Sequence, residues 1–410
     1  MAKVATEPYK GVRDFYPEEF AVEKYIWKKW VQVAESFGYV EYNASILEPS
    51  ELYRGKTSEE IVNEQTYTFT DRGDREVTLR PEMTPTVARM IAAKRRELSF
   101  PLRWFSIPNV FRYERPQRGR LREHWQLNAD IFGVPGIEAE VEIISLAYYI
   151  MKAFGAKDND FTLKIGSRAS LNDLARRQNL TEEQFKKLIG LLDRRNKITP
   201  AEFHTGISEL GFTLDILSLQ DPLADVPRIC DLLKDKGIKN AIYDPSIVRG
   251  FDYYTGTVFE VFDTNPKNNR SLFGGGRYDN LLDLFGEEPA PAVGFGMGDV
   301  TIRDFLETRG LLPAYHSSAH LYICHTGNEF ISSAQELAQR LRKHGLNVAV
   351  DLTTRKVGDQ IKLADKQRIP FISVVGEEEI KDNKFKIKHL ASGEEQKLVE
   401  SEIIEFINSR

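Results

Sequence analysis

The sequence predicts an α+β domain built on a mostly antiparallel sheet and interrupted by a helical insertion, followed by a smaller α/β domain. Three observations carry that expectation. Hairpin patterns fill residues 1–160, polar-faced helical patterns fill 161–243, and from residue 318 onward strands and helices alternate in βαβαβ order. A chain of 410 residues exceeds what one core normally supports, so 1–160 and 244–312 are expected to form one domain around the 161–243 insertion, and 318–410 a second.

Composition narrows the class. Hydrophobic and charged fractions of 41% and 29% are those of a soluble globular protein, and no apolar run approaches the length of a membrane span. The opening MAKVATEPYKGVRD lacks the apolar segment of a secretory signal, so a cytoplasmic protein with no membrane partner is expected. Cys230 and Cys324 are far apart, and no Cys/His cluster has zinc spacing; neither a disulfide framework nor a structural metal is indicated. A net charge of −5 argues against a wholly basic nucleic-acid coat, but it leaves room for local phosphate-binding patches.

The elements follow in order. Pro17 suits the first turn of a helix, Glu18 and Glu19 suit its positive end, and Val22, Ile26, Trp30, Val33 and Phe37 form its apolar stripe before Gly38. An extended stretch runs to Pro49. TYTFT and EVTLR read as a hairpin around Asp71–Arg75, and TPTVARMIAAKRREL reads as a helix whose terminal Lys94, Arg95 and Arg96 satisfy its dipole. Between Phe111 and Gly133 lies FRYERPQRGRLREHWQLNADIFG. WFSIPNV before it and WQLNADIF within it make a second hairpin with a basic tip, and Gln126, Asn128 and Asp130 fall on one strand face. Three polar groups on one face form a site pattern rather than a core pattern, although a solvated hairpin would also carry such charges.

IEAEVEIISLAYYIMKAFG is a further helix. In the insertion, Thr181–Gln184 and Thr199–Glu202 match the capping box, and Arg194, Arg195 and Lys197 read as a solvated face. TVFEVF then reads as a central strand, preceded by Arg249, Asp252, Tyr253 and Tyr254, which are either site residues or core aromatics beside an ion pair. SLFGGGRYDN and PAVGFGMGD are expected as glycine-rich turns ahead of helices. Over 294–298 glycine stands at every second position of a strand, which lets either a ligand or another backbone approach closely. HLYICHT, NEFISSAQELAQRLRKHG, NVAVD, GDQIKLADKQRI and PFISVVG complete the last domain, with Lys362, Lys366 and Arg368 available to RNA.

Three groups of polar residues call for one explanation: Glu82 with Thr84; Arg112, Glu114, Arg120, Gln126 and Asp130; and Arg249, Tyr253 and Tyr254. Guanidinium forks suit a triphosphate, whereas carboxylates and Gln126 suit an ammonium group, so the set would accept a zwitterion beside a nucleotide. No Walker loop, dinucleotide fingerprint or His-Glu metal motif competes.

FRYERPQRGRLREHWQ resembles motif 2 of the class II aminoacyl-tRNA synthetases, and VRGFDYYTGTVFEVF resembles the histidine-specific motif of the histidyl-tRNA synthetase family. GVRDFYP, TLRPEMT, GGGRYDNLLDLFG and VGDQIKLADKQRIPFISVVGEEEI match that family in the same order, so the resemblance spans nearly the whole chain. It implies a catalytic α+β domain and a C-terminal anticodon-binding domain in a homodimer. It implies ATP with Mg2+, L-histidine and histidine tRNA as partners, but no DNA. It implies further that Arg112 holds the ATP α-phosphate, Glu114 lies by adenine and Arg120 reaches the outer phosphates. Glu82, Thr84 and Gln126 would bind the histidine α-amino group, Asp130 and Tyr254 the imidazole nitrogens, and Tyr253 would line the pocket. Arg249 would bridge the histidine carboxylate and the α-phosphate, which makes Arg249 and Arg112 the catalytic pair. No residues are implied as metal ligands. In one departure, Thr301 stands where motif 3 carries an arginine against adenine, with Arg303 two residues further on. A second reading is a non-catalytic histidine-sensing regulatory paralogue; it would be expected to lack Arg249 and the C-terminal domain, and this chain has both.

Overall fold

The computed structural model describes residues 4–54, 65–193, 195, 198–211, 225–248, 253–268 and 270–409. They form two compact units, 1–313 and 314–410. In the first, strands β1 (Val40–Glu41), β2 (Leu47–Pro49), β3 (Tyr67–Thr70), β4 (Glu76–Leu79), β5 (Leu102–Ser106), β6 (Asn109–Phe111) and β7 (Glu123–Phe132) precede β8 (Phe161–Ser167), β9 (Ala241–Tyr243), β10 (Thr257–Asp263), β11 (Ser271–Arg277) and β12 (Ala292–Gly298). The helices are α1 (Pro17–Ser36), α2 (Glu51–Arg54), α3 (Thr84–Ala93), α4 (Glu138–Ala153), α5 (Arg168–Arg177), α6 (Glu182–Asp193), α7 (Pro200–Glu209), α8 (Asp225–Asp235) and α9 (Asp299–Thr308).

A nine-stranded sheet in the order β1-β5-β7-β12-β11-β10-β8-β9, with β6 on the end of β7, is antiparallel except at its outer pairs β1–β5 and β8–β9. Alternation along β7 separates two environments. Leu127, Ala129 and Ile131 enter the main core, built with α1, α4, α8 and α9, while Gln126, Asn128 and Asp130 point to the opposite face. On that face α3, Tyr253, Tyr254 and Tyr278 form a second apolar cluster. Pro17 opens α1, and Ile26, Trp30, Val33 and Ala34 are its buried stripe.

Two expectations change. Phe161–Ser167 and Ala241–Tyr243 are strands of the main sheet, and Val226, Ile229 and Leu233 of α8 belong to the main core; the separate helical core is that of α5, α6 and α7. The insertion therefore begins after Ser167, because the alternating apolar residues of Phe161–Ser167 pair along the whole of β10. The GGG run of Ser271–Arg277 is likewise strand rather than turn, and 294–298 is the strand expected from its alternating glycines. A Cβ on Gly275 would lie 2.0 Å from the carbonyl oxygen of Gly294, so β11 and β12 approach more closely than side chains allow. The Thr181 and Thr199 capping boxes both form, with Gln184 and Glu202 returning the hydrogen bonds. Arg194 and Lys197 lie outside the described residues.

In the second unit β13 (Leu321–His325), β14 (Val348–Val350), β15 (Phe371–Val375), β16 (Phe385–His389) and β17 (Glu395–Leu398) form a sheet in the order β14-β13-β15-β16-β17. α10 (Ile331–Lys343) and α11 (Val357–Lys366) make the expected crossovers between parallel strands; α12 (Glu377–Asp382), the antiparallel β16–β17 edge and α13 (Glu400–Asn408) extend it. Among the described residues no helix is long and apolar enough to cross a membrane.

Glycine substitutions of opposite sign test this packing. Gly275→Ala should destabilise the chain by about 1–3 kcal/mol or more through overpacking against backbone. Gly190→Ala in α6, where an added Cβ meets nothing within 4 Å, should stabilise by about 0.5–1 kcal/mol. Urea midpoints for the two variants should move in opposite directions.

Candidate active site

The cleft lies over β7 and β12, whose register sets Gly294 opposite Asp130, Gly296 opposite Asn128 and Gly298 opposite Gln126. These glycines leave space for the side chains of β7. A Cβ at Gly294 would sit 1.8 Å from Asp130 Oδ1, and one at Gly296 would sit 2.9 Å from the Gln126 amide carbon. The walls of the cleft bring together Glu82, Thr84, Arg112, Gln126, Asp130, Tyr253 and Tyr254 from four separate stretches of chain.

Each wall has a local cause. Pro81 ends the extended segment after β4, Glu82 occupies the turn, and Thr84 opens α3. Buried Arg80 fixes that turn by donating from Nε to Asn109 O at 2.9 Å and from Nη1 to Ala44 O at 2.8 Å. Arg112 Nε donates to Pro81 O at 2.9 Å, which joins the start of the basic loop to the same turn. Tyr253 donates to Glu82 Oε2 at 3.2 Å, and its ring lies 4.9 Å from that of Tyr254 and 5.7 Å from that of Tyr278.

Asp130 is, like Glu82, a buried carboxyl of the pocket. Burial raises its pKa to about 7, opposed by the Tyr278 hydroxyl, which donates to Oδ1. Asn128, expected on the same strand face, also lines the cleft, together with Tyr278, Gly274 and Phe295, which the sequence does not single out. Tyr278 follows the GGGR run, which could have drawn attention to it, although a lone tyrosine there reads equally as core. His124 continues the Gln126–Asp130 face, and burial followed by the charges of Arg112 and Arg13 lowers its pKa to about 3, so it is neutral.

The loop between β6 and β7 carries Glu114 and Arg120. They do not line the cleft; Arg120 Nη1 pairs with Glu114 Oε2 at 3.3 Å. Arg122 holds the base of the loop. Its guanidinium stacks on Tyr113 at 4.0 Å, donates to Tyr9 OH at 2.9 Å and to Glu114 O at 3.2 Å, and its backbone N–H donates to Gly11 O. Gly11 has φ +90°, and a Cβ there would meet Arg122 Cγ at 2.8 Å. Thr301 turns its hydroxyl to Leu272 O at 2.7 Å. Arg303 pairs with buried Glu23 of α1 at 3.3 Å, in a network with Arg13 and Asp299, so it is engaged away from the cleft walls. Arg249 and Asp252 lie outside the described residues, and no group of three His, Cys, Asp or Glu among the described residues is arranged to hold a metal ion.

Comparison with known proteins gives the family. The family described as histidyl-tRNA synthetase matches residues 11–208 and 208–300, and an anticodon binding domain matches 320–410. The chain is 44% identical to histidine-tRNA ligase of Leptospira biflexa serovar Patoc, covering 95% of this chain and 94% of that one. It is 36% identical to the histidine-tRNA ligase of Thermoplasma volcanium over 98% of each. The crystal structure of apo histidyl-tRNA synthetase from S. aureus superposes with a TM-score of 0.79 at 26% identity, covering 99% of this chain and 100% of that one. The antiparallel sheet with its arginine-rich hairpin over a polar cleft is the catalytic fold of a class II aminoacyl-tRNA synthetase. Within that class, the chain belongs to the histidyl-tRNA synthetase family.

The Asp130 environment predicts a pH-dependent cost. The unfolded carboxyl ionises near 3.8 and the folded one near 7, so folding retains a proton and stability is lost as pH rises through that window. Asp130→Asn escapes this loss. Its stability relative to the parent should be level near pH 4 and higher by up to about 4 kcal/mol at pH 8. Urea unfolding at both values measures the gap, and a gap independent of pH would contradict the assignment.

Proposed function

We infer that this chain is a histidine-tRNA ligase, joining histidine to ATP as histidyl-adenylate and then to the 3′ end of histidine tRNA. The observation that carries this reading is the convergence of Glu82, Thr84 and Gln126 with Asp130 in one cleft whose rim is Arg112. The first three offer acceptors for an α-ammonium group. Asp130 offers an ionisable acceptor for an imidazole N–H, and the neighbouring Tyr254 hydroxyl can serve the second ring nitrogen. A pocket that must hydrogen-bond both ring nitrogens rejects analogues lacking them by a factor on the order of 10⁴–10⁵.

Arg112 is proposed to hold the α-phosphate, Arg249 to bridge it to the histidine carboxylate, and Glu114 and Arg120 to serve adenine and the outer phosphates. A carboxylate oxygen of histidine attacks the α-phosphorus in line, the bond to the bridging oxygen breaks, and pyrophosphate leaves. The two guanidinium groups stabilise negative charge as it spreads over the phosphoryl oxygens. Magnesium enters with ATP, held mainly by the phosphates as is usual for that ion. In the second step a ribose hydroxyl of tRNA attacks the histidyl carbonyl and AMP leaves.

The C-terminal unit is assigned to the tRNA anticodon, and the protein to the cytoplasm as a homodimer paired through α1 and the strand after it. Similarity to catalytic ligases over 95% of the chain favours this reading over a histidine-sensing regulator.

Histidine-dependent exchange of pyrophosphate into ATP tests the proposal; no exchange with saturating ATP, magnesium and histidine would sink it. Arg249→Ala should slow adenylate formation by about 10²–10³-fold with a much smaller effect on histidine binding, the signature of an interaction made in the transition state. Tyr278→Phe leaves Asp130 without its donor, and KM for histidine should rise about tenfold while KM for ATP stays within twofold.

A further inference from the structure

We propose that the tip of the loop between β6 and β7 is latched onto α9, and that Arg118, Asp304 and Arg270 are positioning residues for ATP. The inference rests on the nucleotide roles proposed for Glu114 and Arg120. Residues 117–120 close into a tight bridge in which Gln117 and Arg120 exchange backbone hydrogen bonds of 3.1 and 2.9 Å. From that bridge Arg118 reaches Asp304 of α9, with both Nε and Nη2 at 2.9 Å from Oδ1. Arg270, just before β11, donates from Nη1 to Arg118 O at 2.8 Å.

The underside of the bridge completes the contact. Gly119 has φ +78°, and the position of its absent Cβ lies 3.6 Å from Thr301 Cγ2, on the first turn of α9. Thr301 is small, and its hydroxyl turns back to Leu272 O and Gly298 O, so its methyl group is left as the seat for the loop tip. A long side chain at 301 would occupy the space the loop uses. Three contacts, from α9, from the segment before β11 and from Thr301, thus hold the same four residues. Arg120 is one of them, and Arg120 pairs with Glu114. The latch sets both groups before ATP arrives, which removes the ordering cost that a free loop would incur on binding.

An exposed ion pair contributes little, and a charged donor on a carbonyl contributes more. Asp304→Ala should therefore raise KM for ATP about threefold and Arg270→Ala about tenfold, with KM for histidine and Tm unchanged. The reversed pair, Arg118→Asp with Asp304→Arg, should recover most of the Asp304→Ala loss. Limited trypsin digestion of the ligand-free protein reads the latch without catalysis: cleavage between residues 115 and 122 should be several-fold faster in Arg270→Ala and Asp304→Ala than in the parent. Equal cleavage rates would overturn the latch whether or not the protein proves to be a ligase. Faster cleavage with an unchanged KM for ATP, or equal rises in both KM values, would overturn its positioning role.

Discussion

The site depends on one register. Strand β7 can present Gln126, Asn128 and Asp130 to a cleft only because β12 places Gly298, Gly296 and Gly294 opposite them, and because β11 brings Gly274, Gly275 and Gly276 alongside. Any side chain at Gly294 would fill the place of the Asp130 carboxylate. A shift of one residue would turn the polar set into the main core and expose Leu127, Ala129 and Ile131. The polar floor and the apolar core are therefore two faces of a single pairing decision.

That arrangement takes stability from the fold. Asp130 is 3% exposed, and among the described residues the side chain that donates to it is Tyr278, so ionising the carboxyl carries a cost. Other buried charges meet several partners. Arg277 at the end of β11 meets Glu140 of α4 in a two-pronged contact and also donates to the carbonyls of Val134 and Gly136. Arg309 ties Asp160 and Asp263 at the far end of the sheet. The Asp130 carboxyl, by contrast, faces the cleft, where a ligand could meet it.

Much of this was legible in the sequence wherever one element determines its own fate. The apolar stripe of α1, the Thr199–Glu202 capping box, the period-two polar set of β7 and the βαβαβ order of the second unit are local signals, and each element is present. The GGG run misled because its local meaning is a turn, whereas here it is set by partner strands elsewhere in the chain. Phe161–Ser167 and Ala241–Tyr243 were drawn into the insertion because helices surround them, and only pairing with β10 shows them to be sheet. Tyr278 could not be told from a core aromatic until its hydroxyl was seen on Asp130. The departure at Thr301 was plain in the sequence, but the loop seated on it required three dimensions.

The β7–β12 pairing also sets an order of events during synthesis. Asp130 leaves the ribosome well before Gly294, with the insertion between them, an interval of roughly 8–30 s at ordinary elongation rates. Throughout that time β7 can pair with β5 and β6 on one side, while its other edge and its buried-to-be carboxylate remain in water. The amino-terminal half can thus gather a partial sheet early, but the cleft has no floor until the second glycine run emerges. Activity should appear abruptly and late in the growth of the nascent chain, after the strand that contributes almost no side chains to it.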